Sequence, residues 1–353
     1  MPFRDVIGHR RIVALLARSV AREALPPSLI FAGPAGVGKR LTAVAVAQAL
    51  NCLKPITIDD GEPAGQGPSS QKAEHDKKID ACGTCRACRR IARGTHPDVL
   101  VIEPGDNGSI KIDQVRELID RAAYRPFEGK RRAVIIDEAD ALVIAAQAAL
   151  LKTLEEPPPG SVFMLVTAHP DVLLPTVRSR CPRLTFRPLA AQDIAAALVA
   201  RGHAEAEART LAAAADGSLG GALEVNAGDL VEARDVAQLV LAQAAAAGDP
   251  RRRLESAKDL LAKTGAGGAG DREQLASHLR AMASLLRDIE LLSTRADASA
   301  LANPDVQPAL ERLADAYRGD RGMRAFTAVD RALVALERNA GVKIVADWLV
   351  LQL

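Results

Sequence analysis

The chain has 353 residues, 46 Lys and Arg against 44 Asp and Glu, a formal net charge of +2, 48% apolar residues and only 3% aromatic ones. These proportions suit a globular chain of two or three domains, and a near-neutral charge excludes whole-surface attraction to nucleic acid, so that any such contact must be local. No run of 18 apolar residues exists to span a membrane, and Met1-Pro2-Phe3-Arg4-Asp5 lacks the basic-then-apolar pattern of a secretion signal; the expected location is the cytoplasm.

The first apolar run, residues 29–32, ends in Gly33-Pro34-Ala35-Gly36-Val37-Gly38-Lys39, and a helical pattern then runs from Lys39 to about Leu50. A G-x-x-x-x-G-K loop between a strand and a helix is a phosphate cradle. Its glycines let backbone N–H groups turn inward, the helix N-terminus adds partial positive charge, and the lysine reaches the terminal phosphates. Gly33, Gly36, Gly38 and Lys39 are therefore candidate nucleotide-binding residues. A loop that holds Mg²⁺ has Ser or Thr next, for its hydroxyl. Here that residue is Arg40, which has no lone pair for a metal, and Thr42 lies on a different side of the helix. ATP or ADP binding is expected at a degenerate site, with Mg²⁺-dependent hydrolysis impaired.

Residues 53–78 are rich in Pro, Gly, Ser, Lys and Asp, have no sustained apolar period, and read as a mobile surface insertion. Just beyond, Cys82-x-x-Cys85-x-x-Cys88 supplies three thiolates within seven residues. Without an export signal this pattern points to metal ligands rather than disulfides. Tetrahedral zinc takes four ligands. Cys52 is the natural fourth, because loop-closure cost grows only logarithmically with length; His75 and His96 are the alternatives. A four-cysteine site has no open position, so the zinc would be structural. Three free thiols at a helix start are the competing reading. Cys181 is expected to be a small buried residue.

Further runs at Val99–Ile102, 133–136 and 162–167 alternate with helical spacing at Ile112, Val115, Leu118, Ile119 and Ala122. This alternation predicts an α/β domain with a parallel sheet. In Val134-Ile135-Ile136-Asp137-Glu138-Ala139-Asp140, Asp137 ends a strand and could assist Mg²⁺, while Glu138 could orient a water; both acids could instead cap the next helix and interact with its dipole. Arg116, Arg121, Arg125, Lys130, Arg131 and Arg132 form a basic stretch, either a solvated face and loop or a track for a phosphate backbone. Val177-Arg178-Ser179-Arg180-Cys181 follows the last run. An arginine at a domain edge can stabilise charge on phosphoryl oxygens in a neighbouring subunit; by itself the tripeptide is equally a solvated arginine.

After Pro188 the pattern becomes small helices broken by Gly202 and by residues 217–221, and from about Leu230 it is almost entirely helical, with a glycine-rich connector at 265–270. The expected domains are 1–187, a nucleotide-binding-like domain with a zinc module at about 52–88; 188–228, a helical lid; and 229–353, an all-α collar for oligomerisation. Ala332, Leu333, Leu336 and Ala340, then Ile344, Val345, Trp348, Leu349 and Leu351, read as one apolar helical face, serving the core or a partner.

Taken in order, the phosphate loop, the cysteine cluster, His96-Pro97-Asp98-Val99, Asp137-Glu138-Ala139-Asp140, Leu154-Glu155-Glu156-Pro157-Pro158 and Ser179-Arg180-Cys181 resemble the bacterial clamp-loader branch of the AAA+ family. Leu336-Glu337-Arg338-Asn339-Ala340 and the helix after it are similar to the end of that family's collar. Motor subunits of the gamma/tau type carry Lys-Thr or Lys-Ser and an arginine after Gly-Ser in the lid. This chain has Lys39-Arg40 and Gly217-Ser218-Leu219-Gly220-Gly221-Ala222-Leu223, so it looks like the delta-prime branch of DNA polymerase III clamp loaders. The resemblance implies a stator at one end of a hetero-pentamer with motor (gamma/tau) and delta subunits, aiding ATP-dependent loading of the sliding clamp on primed DNA. It implies no competent ATPase or polymerising activity in the chain alone, Arg180 acting in trans, and Cys52, Cys82, Cys85 and Cys88 on structural zinc. An ATP-hydrolysing motor subunit is the main alternative. A zinc-dependent nucleic-acid-binding module without ring partners is a third.

Overall fold

The structure is a computed structural model and describes residues 1–58, 78–105, 107–215, 217–224, 227–246, 249–261, 269–294, 301, 303, 306–337 and 340–353. His75, most of the insertion, most of the glycine-rich connector, Arg338 and Asn339 lie outside the described residues. The chain divides into two compact units, one of Met1–Asp193 with Ser218–Gly220, the other of Ile194–Gly217 with Gly221–Leu353.

The first unit is a five-stranded parallel sheet with helices on both faces. In chain order its elements are α1 (Arg10–Ala21), β1 (Ser28–Ala32), α2 (Lys39–Asn51), β2 (Ile56–Ile58), β3 (Lys78–Asp80), α3 (Arg86–Ala92), β4 (Val99–Ile102), α4 (Ile112–Ala123), β5 (Arg132–Ile136), α5 (Ile144–Glu155), β6 (Ser161–Thr167), α6 (Pro175–Arg178) and β7 (Arg183–Thr185). Strand order is β4-β5-β6-β1-β7. Every residue of β1, β5 and β6 is buried, as a parallel sheet covered on both faces requires.

Side chains alternate across each strand. Leu29, Phe31, Ala133, Ile135, Val162 and Met164 enter a core shared with α1 and α2. Ile30, Ala32, Val134, Ile136, Phe163 and Leu165 enter a second core with α4 and α5. The sequence runs thus became strands because unbroken apolar stretches of four to seven residues can feed two cores at once. Helix α4 starts at a capping box in which Lys111 N–H donates to Gln114 Oε1 at 2.8 Å, and Val115, Leu118 and Ala122 bury its apolar face.

Two expectations need correction here. The stretch 53–78 is not wholly irregular: β2 and β3 pair antiparallel, Ile56 with Asp80 and Ile58 with Lys78. Arg132 does not belong to a solvated basic stretch. It is 6% exposed and pairs with the fully buried Asp98 at 3.0 Å.

All elements among the described residues of the second unit are helices. This unit takes in most of α7 (Ala191–Val199), then α8 (Glu205–Ala214), most of α9 (Leu219–Glu224), α10 (Ala227–Ala246), α11 (Pro250–Leu260), α12 (Ala269–Ser293), α13 (Gln307–Ala314), α14 (Asp320–Glu337) and α15 (Val342–Gln352). Gly202 (φ 101°) and Gly217 (φ 81°) separate the small helices as expected, but Gly220 and Gly221 lie inside α9 rather than breaking it. The core joins Leu241, Leu279, Leu286, Val329, Leu349 and others, and the Tyr317 hydroxyl donates to the Leu241 carbonyl at 2.9 Å. The C-terminal apolar residues do not form one face. Gly341 caps a new helix; Ala332, Leu336, Val345 and Leu349 are buried, whereas Ile344 is 72% exposed and Trp348 and Leu351 are partly open.

Candidate nucleotide site and thiolate cluster

The phosphate loop joins β1 to α2 at the carboxyl edge of the sheet, between the strands that flank β1 on either side. Open α/β sheets bind ligands at such a switch point. Gly33, Gly36 and Gly38 all have positive φ, at 152°, 70° and 98°. At Gly33 a Cβ would stand 2.3 Å from the Phe186 carbonyl oxygen, so only glycine fits where the loop leaves the strand. Gly38 is the N-cap of α2, and no side chain caps that helix, which leaves its N-terminus available to an anion. Lys39 is buried and donates to the carbonyls of Gly33 at 2.6 Å and Pro34 at 2.5 Å. Burial lowers its pKa, and Asp137 and Asp140 pull it back up.

Arg40 occupies the ground between the loop and the strand ends. Its Nη1 donates to Asp137 Oδ2 at 3.0 Å and its Nη2 to Glu103. Ile102 and Ile136 are register partners on β4 and β5, so the two acids follow paired positions on adjacent strands and both reach the guanidinium. Thr42 is fully buried, and its hydroxyl donates to the Gly38 carbonyl at 2.9 Å. The residues present therefore do not fit a loop-bound Mg²⁺: the hydroxyl position is a cation, Asp137 is already paired, and Thr42 points elsewhere.

Glu138 has φ 47°, a left-handed conformation uncommon outside glycine and enriched at functional sites. Burial and the carboxylates of Asp137, Asp140 and Glu103 raise its pKa, with Arg40 opposing. The Glu138 side chain accepts no capping hydrogen bond from the short turn that follows, whereas Asp137 Oδ1 accepts from Glu138 N–H at 3.1 Å. Asp140 accepts from the Thr167 hydroxyl at 2.5 Å and from Ala168 N–H at 3.2 Å, tying the end of β6 to this cluster. His9, also left-handed, sits against the loop, with Nε2 3.0 Å from the Val37 carbonyl oxygen and its ring edge-on to Phe186; burial lowers its pKa.

Sequence reasoning missed Glu103, Thr167 and His9. The signal for the first two was present: each is a polar residue ending an apolar strand run at the sheet edge that carries the loop. His9 had none, because α1 precedes the first motif. Arg180 is a third exposed and pairs with Glu155, its Nη2 3.1 Å from Oε2, while Nη1 donates to the Thr176 carbonyl. Neighbouring Cys181 is buried among apolar residues, which pushes its thiol up to about 11.

At the C-terminal end of α2, the sulfurs of Cys52, Cys82, Cys85 and Cys88 lie within 4.8 Å of one another. Cys52 ends α2, Cys82 follows β3, and Cys85 caps α3 with Cys88 in its first turn. Backbone N–H groups of Cys82, Cys85 and Cys88 donate to the sulfurs of Cys52, Cys82 and Cys85 at 3.2, 3.3 and 3.5 Å. Burial works against ionisation in all four, yet at Cys82 the N–H groups of Cys85 and Thr84 outweigh it and bring the thiol to about 6. Cys85 is likewise lowered, and Cys52 and Cys88 are raised. Four convergent sulfurs with N–H···S support fit a closed tetrahedral metal site, and the cluster could hold a metal.

His96 is not part of that cluster. It is buried beside Glu128, and its Nδ1 accepts from Asp98 N–H. Asp98 accepts from the N–H groups of Phe127, Glu128 and Gly129. Burial raises its pKa, but those bonds and Arg132 outweigh it and hold the carboxyl at about 2. The His-Pro-Asp motif is thus a clasp that fixes the loop before β5. The N-terminus is clasped similarly. Phe3 N–H and Arg4 bind buried Asp80, and Arg4 also donates to the carbonyls of Ala81 and Cys82.

Known proteins are similar to parts of this chain. The chain is 39% identical over 150 residues to the DNA polymerase III subunit delta' of Pseudomonas aeruginosa, covering 42% of this chain and 39% of that one. It is 32% identical over 192 residues to DNA polymerase III subunit tau of Bacillus subtilis, covering 54% and 30%. The chain thus spans well under half the length of these relatives. A solved structure of a gamma subunit-related protein of DNA polymerase III from Thermotoga maritima superposes with TM-score 0.42 at 15% identity, over 94% of this chain and 95% of that one. A family profile described as DNA polymerase III, delta subunit matches residues 8–190, just over half of the chain, and the chain belongs to that family.

Proposed function

We propose that the chain is a delta-prime-like clamp-loader subunit of DNA polymerase III, a stator that assists ATP-dependent clamp loading without hydrolysing ATP efficiently itself. The observation that carries this reading is the Arg40–Asp137–Glu103 cluster. It removes from the chain's own site the hydroxyl and the free carboxylate that a motor subunit uses for Mg²⁺. Arg180, just beyond α6 and a third exposed, is then the group offered to a neighbour. Its guanidinium would exchange Glu155 for the oxygens of a transferring phosphoryl group, where an arginine stabilises developing charge.

In this reading residues 1–187 are the AAA+ core, 188–228 the lid and 229–353 the collar. The partners are motor and delta subunits, the sliding clamp, and primed DNA through the assembly, all in the cytoplasm. Cys52, Cys82, Cys85 and Cys88 would hold zinc. The metal would cross-link the end of α2, β3 and α3 as a structural tie, since four thiolates leave no coordination position for a substrate. A motor-type reading is favoured by the match to tau of Bacillus subtilis and by the retained Lys39, Asp137 and Glu138, and is opposed by Arg40.

Steady-state ATP turnover by a ring reconstituted with motor and delta subunits, clamp and primed DNA tests the proposal. Arg180→Ala should leave the ring assembled and remove most of the turnover at one site, an effect of several orders of magnitude there. Undiminished turnover in an intact ring would take Arg180 out of the mechanism. Vigorous turnover by the isolated wild-type chain would favour the motor reading.

A further inference from the structure

Two features of the loop pull in opposite directions. The cradle itself is intact: Gly33, Gly36 and Gly38 have the required backbone and α2 presents an N-terminus without a side-chain cap. The metal half is replaced, because Arg40 is bound to both Asp137 and Glu103. We propose that the loop binds a nucleoside diphosphate without a divalent cation and discriminates against the triphosphate, an inference that rests on reading residues 33–39 as a nucleotide loop.

Recognition of the diphosphate needs only the parts that remain. The cradle's N–H groups and the helix dipole take phosphate oxygens without a metal. Lys39 now rests on two loop carbonyls, and a phosphate oxygen would replace them as a stronger, charged acceptor. Arg40 is about half exposed. A guanidinium has five N–H donors, so it can keep both carboxylates and still offer a donor to an incoming oxygen.

The terminal phosphate of a triphosphate meets a different environment. In P-loop sites a metal bridges the last two phosphates and neutralises charge near the acidic strand ends. Here the carboxylates of Asp137, Asp140 and Glu103 stand near enough to Glu138 to disfavour its charge, and Arg40 pairs with Asp137 and Glu103. An added phosphate placed there without a metal is repelled, and binding a metal first requires breaking the Arg40–Asp137 pair. Residues 218–220, which belong to the first unit, crowd the loop: Gly220 N–H donates to the Gly36 carbonyl at 2.9 Å, and a Cβ on Gly220 would stand 2.9 Å from Gly36 Cα.

Calorimetric titration of the full chain with ADP and with ATP, each in excess EDTA and in excess Mg²⁺, tests this. The expected result is ADP binding within twofold in the two conditions and at least tenfold tighter than ATP in both. Arg40→Thr, checked for folding by circular dichroism, should gain Mg²⁺-dependent ATP affinity. Binding of either nucleotide that strengthens tenfold with Mg²⁺ in the wild type, or ATP binding as tight as ADP, overturns the inference alone. If neither nucleotide binds at millimolar concentration, or if Lys39→Ala binds ADP as tightly as wild type, the nucleotide-loop reading fails and the inference with it.

Discussion

Arg180 is held by Glu155: Nη2 lies 3.1 Å and Nε 3.4 Å from the same carboxylate oxygen, Oε2. Glu155 is the last residue of α5 and Arg180 lies just beyond α6, so two short-range elements set the arginine's direction. The pair is open to solvent, with the glutamate side chain 60% exposed. Exposed pairs of this kind contribute about 0–1 kcal/mol. Glu155→Ala should therefore change urea-unfolding stability by no more than about 1 kcal/mol. In the reconstituted ring it should reduce turnover less than Arg180→Ala does. A loss equal to that of Arg180→Ala would mean that Glu155 does more than orient the arginine.

The Asp98–Arg132 pair behaves differently, because the aspartate is fully buried and the arginine nearly so. Removing one partner of a buried pair costs about 3–5 kcal/mol, and Asp98→Ala would also strand the N–H groups of Phe127, Glu128 and Gly129. Chemical denaturation should show a loss of that order. The shift of Asp98 from 3.8 to about 2 is a depressed carboxylate pKa. Its stabilisation is present above the unfolded-state value and is lost as pH falls through the folded one. Wild-type protein should thus lose roughly 2 kcal/mol between about pH 4 and pH 2 that Asp98→Asn does not lose. Equal slopes in that window would contradict the assignment.

The four-sulfur cluster predicts one metal ion per chain by elemental analysis of protein purified without chelator. Cys52→Ser should abolish stoichiometric metal and lower the thermal midpoint. Cys181→Ser should keep the metal, because Cys181 lies in the sheet core rather than in the cluster. Retention of full metal by Cys52→Ser would remove Cys52 from the ligand set.

Gly33 tests the loop's backbone. Its φ of 152° and the 2.3 Å approach of a Cβ to Phe186 O leave no room for alanine. Gly33→Ala should destabilise the chain by roughly 1–3 kcal/mol through strain, read by thermal or urea unfolding. It should also displace the turn that sets Lys39, so an unaltered melting curve would show that the loop relaxes freely.

Much of the first unit was legible in the sequence because its signals are local. Buried parallel strands read as unbroken apolar runs, and residues 29–32, 99–102, 133–136 and 162–167 all became strands with ends moved by one residue at most. The phosphate loop was legible because its glycines sit at fixed offsets. Strand β7 was not, since Arg183-Leu184-Thr185 has neither an apolar run nor alternation long enough to register, and exists by pairing with β1. The β2–β3 ribbon was missed for the same reason, as each strand is only three residues long and each is defined by its partner.

The sequence by itself determined the residue types that limit the chemistry: a lysine in a glycine cradle, an arginine where a hydroxyl is needed, and thiols spaced for a common centre. Tertiary structure decided what those residues touch. Arg40 neutralises Asp137 and Glu103 only because β4 and β5 are adjacent in the sheet, 63 and 97 positions away along the chain. Cys52 meets Cys82 only because the β2–β3 ribbon closes the gap between them. Arg132, read as one more surface cation, is buried against Asp98. Spacing along a chain fixes what can be near within a helix turn or a strand; charge pairing across a sheet depends on strand order, which no local pattern encodes.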